Sequence, residues 1–380
     1  MTSPEPFAAE RWFLARGLPA VLRHGALLRR VWSRSAPAMA GLAVIAANSI
    51  LVVRLTGMHA IDIEGRPDLK EGFVLALLVL VLPAAALVGW LVSRIDTPLR
   101  RVVAANLSLA VIVLGAIFGG PSYRVFVNLV ILTVGVLIVL AATVTGVGSI
   151  LGWAAHSTLS NLALVGGMFV RALPVVLLTF LVFFNTYVWL MAAIVSRARL
   201  WLGLGFLFLI AAAFLVASTF DRVRPILASP EPGPDDAARL VGTPFEHMPD
   251  KPGADELTHS ERANVAFVVA ASQVGQVLTV AVMTGAIFFV LGLIVVSPPL
   301  LDSWTRGSGR TDGQILGMTL PIPDPLIQTT MMLAAITFMY LSAKAVTDKE
   351  YRSQFLDPLI EDLRLTLVAR DRYRASLPAR

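Results

Sequence analysis

One apolar stretch of the sequence carries the residues best placed to do chemistry. Ser272, Gln276 and Thr279, with Met283, recur at helical spacing on one face, and Gln273 and Thr284 flank that face. Hydroxyls and carboxamides in that pattern can hydrogen-bond a polar solute or offer oxygen to an ion. They supply no general base of their own. An unsatisfied amide is costly in hydrocarbon, so such a face turns toward other helices, water or another subunit. Interhelical hydrogen bonding is its plain structural role and a solvated pathway its functional one. A second polar pair, Asn185 and Thr186, stands beside Tyr187 and Trp189 near the end of another apolar stretch. A belt of interfacial aromatics accounts for that setting equally well.

Other chemistry is mostly excluded. The chain has no cysteine, which removes thiolate catalysis, iron–sulfur clusters and disulfides. Its five histidines, His24, His59, His156, His247 and His259, lie outside the apolar centres, so paired intramembrane haem ligands are missing. Glu246, His247, Asp250, Asp255, Glu256 and His259 follow no known metal-ligand spacing. Asp96 with Arg100 and Arg101, and Asp221 with Arg222 and Arg224, read as charged span ends rather than as the site of a lipid-handling enzyme. No phosphate-binding glycine loop or nucleophile elbow occurs. We expect no catalytic residues, no cofactor and no metal site.

The elements that position these residues are membrane helices. The chain is 56% hydrophobic, with a mean hydropathy of +0.76. A spanning helix needs roughly 20 apolar residues, and stretches of about that length or more occur near 36–55, 73–93, 102–119, 125–149, 172–195, 199–218, 264–296 and 325–346. The expected fold is all-α, a polytopic bundle of about eight spans with amphipathic interfacial and cytoplasmic helices. Pro83 should kink the second span. Residues 150–171, with His156, Ser157, Thr158, Ser160, Asn161 and Arg171, read as an interfacial helix, or alternatively as a ninth span. Gly115 and Gly119 form a GxxxG step, and Gly275, Gly285 and Gly292 notch the seventh span for close helix contact.

Charge sets the expected topology. With the N-terminus inside, 23 of the 31 Lys and Arg residues fall on the inner side and eight outside, as the positive-inside rule asks. The net charge of +6 therefore serves topology rather than nucleic acid. Both termini are expected in the cytoplasm. Residues 1–35 form an amphipathic cytoplasmic or interfacial arm, with Trp12, Phe13, Leu14, Leu18, Val21, Leu22, Leu28 and Trp32 as its apolar stripe. Residues 36–218 hold six spans. Residues 219–263, a cytoplasmic loop rich in Pro and acid, cannot build a core of their own. Residues 264–346 hold two spans around an outer loop at 297–324, where Asp324 and Pro325 suit a helix start. Residues 347–380 form a cytoplasmic helix opened by the box Thr347–Glu350, striped by Tyr351, Phe355, Leu356, Leu359, Ile360, Leu363 and Leu367, and bent at Pro358. Thr258 and Glu261 form a second capping box, from which the helical pattern runs nearly 40 residues.

Three segments carry a resemblance: Arg171–Pro174 leading into Val175–Trp189, Glu261–Val265 leading into Ser272, Gln273 and Gln276, and Tyr340 through Arg352 to Phe355. Together they resemble a family of uncharacterised actinobacterial integral membrane proteins. The resemblance implies a multi-pass protein of a bacterial inner membrane and supplies no catalytic residues. Relatives tend to place an acid just before the tryptophan that corresponds to Trp189; Asn185-Thr-Tyr-Val-Trp189 has none.

Intramembrane carboxylates and histidines, the usual relay of proton-coupled pumps, are missing from the span centres. The expectation is a channel or uncoupled transporter. The alternative is a non-enzymatic scaffold or an accessory subunit of a larger membrane complex. The expected partners are the lipid bilayer and a second copy or another membrane protein, with no nucleic acid.

Overall fold

The computed structural model describes residues 6–22, 27, 28, 30–59, 61–65, 67–160, 173–228, 236–248, 257–315, 318–347 and 357–375. They are almost entirely helical, and the chain divides into two compact units. Among the described residues, seven helices are long and apolar enough to cross a membrane, and a bent pair supplies the length of an eighth. The protein is an all-α, multi-pass integral membrane protein.

The first unit comprises Leu27–Gly148 and Gly309–Pro325. Helix α2 (Val31–Thr56) is its centre, and α3 (Leu69–Ser93), α4 (Pro98–Phe118) and α5 (Val125–Thr145) all pack on it. Local chemistry sets the ends. Asp68 and Glu71 cap α3 reciprocally, Pro98 opens α4, and Gly57 and Gly146 close α2 and α5 in the left-handed region. Small residues let the helices approach. A Cβ on Gly115 would lie 2.6 Å from Ala46 Cβ, and one on Gly119 would lie 2.8 Å from the Ile50 nitrogen. The GxxxG step is therefore spent inside the chain, between α4 and α2. Met39, Ala43, Ala46 and Ile112 form the core of this contact. The remaining faces of α3 and α5 leave large side chains such as Val79, Leu82, Leu137 and Ile138 outside the protein, where a bilayer covers them. Pro83 lies within α3, which continues helical to Ser93, and α2 contains a second internal proline, Pro37.

Beyond α2, residues 61–63 pair with two short strands within the expected outer loop at 297–324. Strand β1 (Gly313–Ile315) runs antiparallel to β2 (Met318–Leu320), and Thr319 bridges to Asp62 in parallel. Asn128, buried, holds the α4–α5 turn by accepting from the Ser122 amide and donating to the Gly119 and Ser122 carbonyls.

The second unit comprises Met1–Ala26, Ser149–Ser308 and Leu326–Arg380. Its described helices, besides α1 (Pro6–Ala15), are most of α6 (Val147–Ser160), α7 (Leu173–Phe183), α8 (Thr186–Ile194), α9 (Arg197–Ala228), the single turn α10 (Asp236–Arg239), α11 (His259–Val295), α12 (Pro298–Thr305), most of α13 (Asp324–Thr347) and α14 (Asp357–Ala375). The fifth expected span is the pair α7–α8, bent by 63°. Of the expected interfacial segment, α6 covers the start; residues 161–172, with Asn161 and Arg171, lie outside the described residues, as do the side chains of His156, Ser157, Thr158 and Ser160.

Candidate functional site

Helix α11 organises the second unit. Thr258 and Glu261 form the expected capping box, each side chain accepting from the other's amide. Its 37 residues make about 55 Å at 1.5 Å per residue, against a hydrocarbon core of about 30 Å. The first turns, including Glu261, therefore stand ahead of the apolar stretch that begins near residue 264. Helix α9 runs antiparallel beside it. Ala211 and Leu215 share a core with Val277, Val280 and Ala281, and with Phe338, Leu341 and Ala345 of α13. Gly285 meets Thr330 and Ala334, and Gly292 meets Leu326, so α13 also lies antiparallel and close.

The polar face of α11 points inward, as an amide in hydrocarbon must. Ser272, Gln273, Gln276 and Thr284 are all buried, whereas Met283 is exposed, so the expected stripe ends short of it. Partners divide the buried set. Gln273 Oε1 accepts from Thr219 of α9 at 2.8 Å. Thr279, partly buried, and Thr284 donate to the carbonyls one turn back, Gly275 and Val280. Ser272 Oγ and Gln276 Oε1 have no hydrogen-bond partner among the described residues. Helix α13 is similarly polar within: Gln328, Thr329, Thr330, Thr337 and Ser342 are buried. Thr330 and Thr337 return their hydroxyls to their own helix. These α13 residues were not singled out from the sequence, although their spacing on a buried helix was a usable signal.

Asn185 and Thr186 are exposed and join neither helix. Asn185 instead caps α8, accepting from the Tyr187 amide at the break. The indole of the fully buried Trp189 donates to the Phe183 carbonyl across the same break. Phe183, Trp189, Phe288 and Trp304 pack around it in edge-on and tilted ring contacts. Aromatic packing and capping therefore satisfy the bend.

A third constellation was missed from sequence. Glu261 is buried and held by two arginines of α14: Arg370 donates through Nε and Nη2 at 3.1 and 3.0 Å, and Arg374 through Nη2 at 2.8 Å. Burial pushes the Glu261 carboxyl up, but the bonds from Arg370 and the Thr258 amide, with the two guanidinium charges, outweigh it and hold the group below its ordinary value. Burial dominates at neighbouring Asp371, whose carboxyl is raised although Arg370 bonds it. Around this clasp the chain's ends assemble. Phe13 packs edge-on against Trp12 and Tyr373 and tilted against Phe245. Arg16 pairs with Asp362, Asn264 donates to the Gly17 carbonyl, and Arg372 donates to the Phe245 carbonyl. The stripe of the N-terminal arm thus has Phe13, Leu18, Val21 and Leu22 buried against protein, whereas Leu28 is exposed. Leu240 and Phe245 show how 236–248 is ordered, by packing on these helices. Helix α14 is buried continuously from Leu365 to Arg370, beyond the single stripe read from sequence; the residues ahead of Asp357, and with them the expected bend at Pro358, lie outside the described residues. The box Thr347–Glu350 with Tyr351, Phe355 and Leu356, and the acids Asp250, Asp255 and Glu256, lie outside the described residues. No trio of metal-ligating side chains stands together among the described residues.

Compared with protein-family models, curated proteins and solved structures, the chain matches none.

Proposed function

We propose that the protein is a channel or uncoupled transporter for a small, uncharged polar solute. The observation that carries this reading is the chemistry of the helix interiors in the second unit. Helices α11 and α13 turn hydroxyls and carboxamides inward over several turns. The charged residues of the membrane helices stand near their ends, as Arg197, Arg199, Glu261, Asp324 and Lys344 do. An interior of neutral donors and acceptors replaces the hydration of a neutral solute better than that of an ion, whose desolvation calls for charge or many oxygens.

The bacterial inner membrane, with both termini cytoplasmic, belongs to the same proposal. It is supported by the basic-residue asymmetry and by the contact between the terminal helices, which asks for an even number of crossings; seven long helices and the bent pair supply eight. The test is solute flux. Purified protein in liposomes should speed light-scattering responses to neutral polar solutes such as glycerol and urea above empty vesicles, without adding ion conductance. No acceleration for any neutral solute, or acceleration of ions alone, would sink the reading. The scaffold reading keeps one supporting observation, the folded assembly of α1, 236–248 and α14 around the start of α11. A foreign membrane protein retained at fixed stoichiometry through purification would favour it.

A further inference from the structure

We propose that Ser272 and Gln276 form a binding step for an uncharged O–H donor, such as water or a small polyol. The inference rests on the permeation reading and names the site at which it would act. The two residues are one helical turn apart, so their side chains share a face of α11. Both are essentially inaccessible, at 0% and 1% exposure. Their oxygens lack hydrogen-bond partners among the described residues, although neighbouring Gln273, Thr279 and Thr284 all have theirs. Along the apolar stretch of α11 the deficit is local to this step; on α13 the buried Thr329 and Ser342 hydroxyls likewise lack a partner among the described residues. Gly285, which meets Thr330 and Ala334 of α13, lies nine residues on from Gln276 and so about 180° around the helix from it.

The unmet valences define the ligand. A carboxamide oxygen only accepts, so Gln276 Oε1 calls for a donor; a hydroxyl does either, so Ser272 can donate to the same molecule or accept from it. One O–H group bridging the two satisfies both. A bare divalent cation asks for six or more oxygens and usually a carboxylate, and this step supplies two neutral ones. The position suits a mouth. Gln273, between the two, is level with Thr219, which precedes the first acid of α9, Asp221, by two residues. A ligand there sits about two to three turns of α11 beyond the start of its apolar stretch, on the side of the Glu261 clasp.

Cysteine labelling tests this directly, because the chain has no cysteine of its own. Ser272→Cys and Gln276→Cys would each be placed in the full-length protein in liposomes and treated with a small methanethiosulfonate reagent, which attacks thiolates in contact with water. Val282→Cys, on an exposed apolar face of the same helix, is the lipid-facing reference. The expected result is reaction at 272 and 276 at least tenfold faster than at 282, slowed severalfold by glycerol at both. Having two independent positions keeps the test valid if one variant misfolds. Rates no faster than at 282 would overturn the site. Fast labelling that glycerol does not slow would leave water as the occupant and remove polyol binding there. The two proposals fail separately. Glycerol-protected labelling in vesicles that pass no solute leaves the site and removes permeation, whereas flux with unreactive cysteines does the reverse.

Discussion

Replacing Arg370 by Met should release helix α14, and replacing Glu261 as well should restore much of its hold. Arg370 and Glu261 are both nearly inaccessible and meet through two hydrogen bonds of 3.0 and 3.1 Å. Removing one partner of such a pair leaves an uncompensated buried charge, typically costing about 3–5 kcal/mol. Arg374 still reaches Glu261 at 2.8 Å and is partly solvated, so the lower end, about 3 kcal/mol, is expected for Arg370→Met. That corresponds to roughly a 100-fold rise in opening, at about 1.4 kcal/mol per decade. In Glu261→Gln/Arg370→Met neither charge remains, and Gln at the third helical position still serves the capping box. Replacing a buried pair by neutral groups is often close to neutral in cost. The double variant should therefore recover about 2 kcal/mol relative to the sum of the singles. Chymotrypsin cleavage at Tyr373, buried in the intact protein, reads the opening directly where reclosing outpaces cleavage. The reasoning is refuted if Arg370→Met raises cleavage less than tenfold, or if the two changes simply add.

Three further outcomes follow from the structure. Because the Glu261 carboxyl is held below its ordinary value, its clasp is fully present above the normal carboxylate range and is lost as pH falls through that lowered value; raised Asp371 works in the opposite sense. Acidification should therefore loosen α14 in the native protein, and Glu261→Gln should flatten that acid limb, as followed by protease protection against pH. Gly115→Leu should separate α4 from α2, since even a Cβ would lie 2.6 Å from Ala46 Cβ; a loss of about 1–3 kcal/mol or more is expected from overpacking, visible as a lowered melting temperature in detergent, whereas Gly152→Ala, which meets nothing within 4 Å, should be tolerated. Reporter fusions at residues 5 and 375 should both report the cytoplasm, and opposite sides would contradict the eight-crossing arrangement.

Much of the fold was legible because hydropathy and capping are local properties. A bilayer imposes the same length and apolarity on every crossing, so the bounds of α2 to α5, α11 and α13 and the start of α9 could be read within a few residues, whereas α9 runs on to Ala228, into the segment read as a loop. The box at Thr258 and Glu261, the glycine step at 115 and 119 and the inward turn of Ser272, Gln273, Gln276 and Thr284 were equally accessible. Each follows from helical spacing and from the cost of polar groups in hydrocarbon. Partners were not legible. Glu261 looks like a capping acid from its own neighbourhood, and only tertiary contact brings Arg370 and Arg374 to it across 109 and 113 residues. Asn185 reads like Gln276 in an apolar stretch, yet one caps an exposed bend while the other is buried with its Oε1 unpartnered among the described residues. Residues 313–320 lack a strand-length apolar run, and they pair because residues 61–63 arrive beside them. The amino-acid sequence by itself determined which segments enter the membrane and which faces turn from lipid, since solvation acts residue by residue. Tertiary structure alone decided which buried polar groups find a partner among the described residues and which do not, because a hydrogen bond depends on the position of a second group far away in the chain.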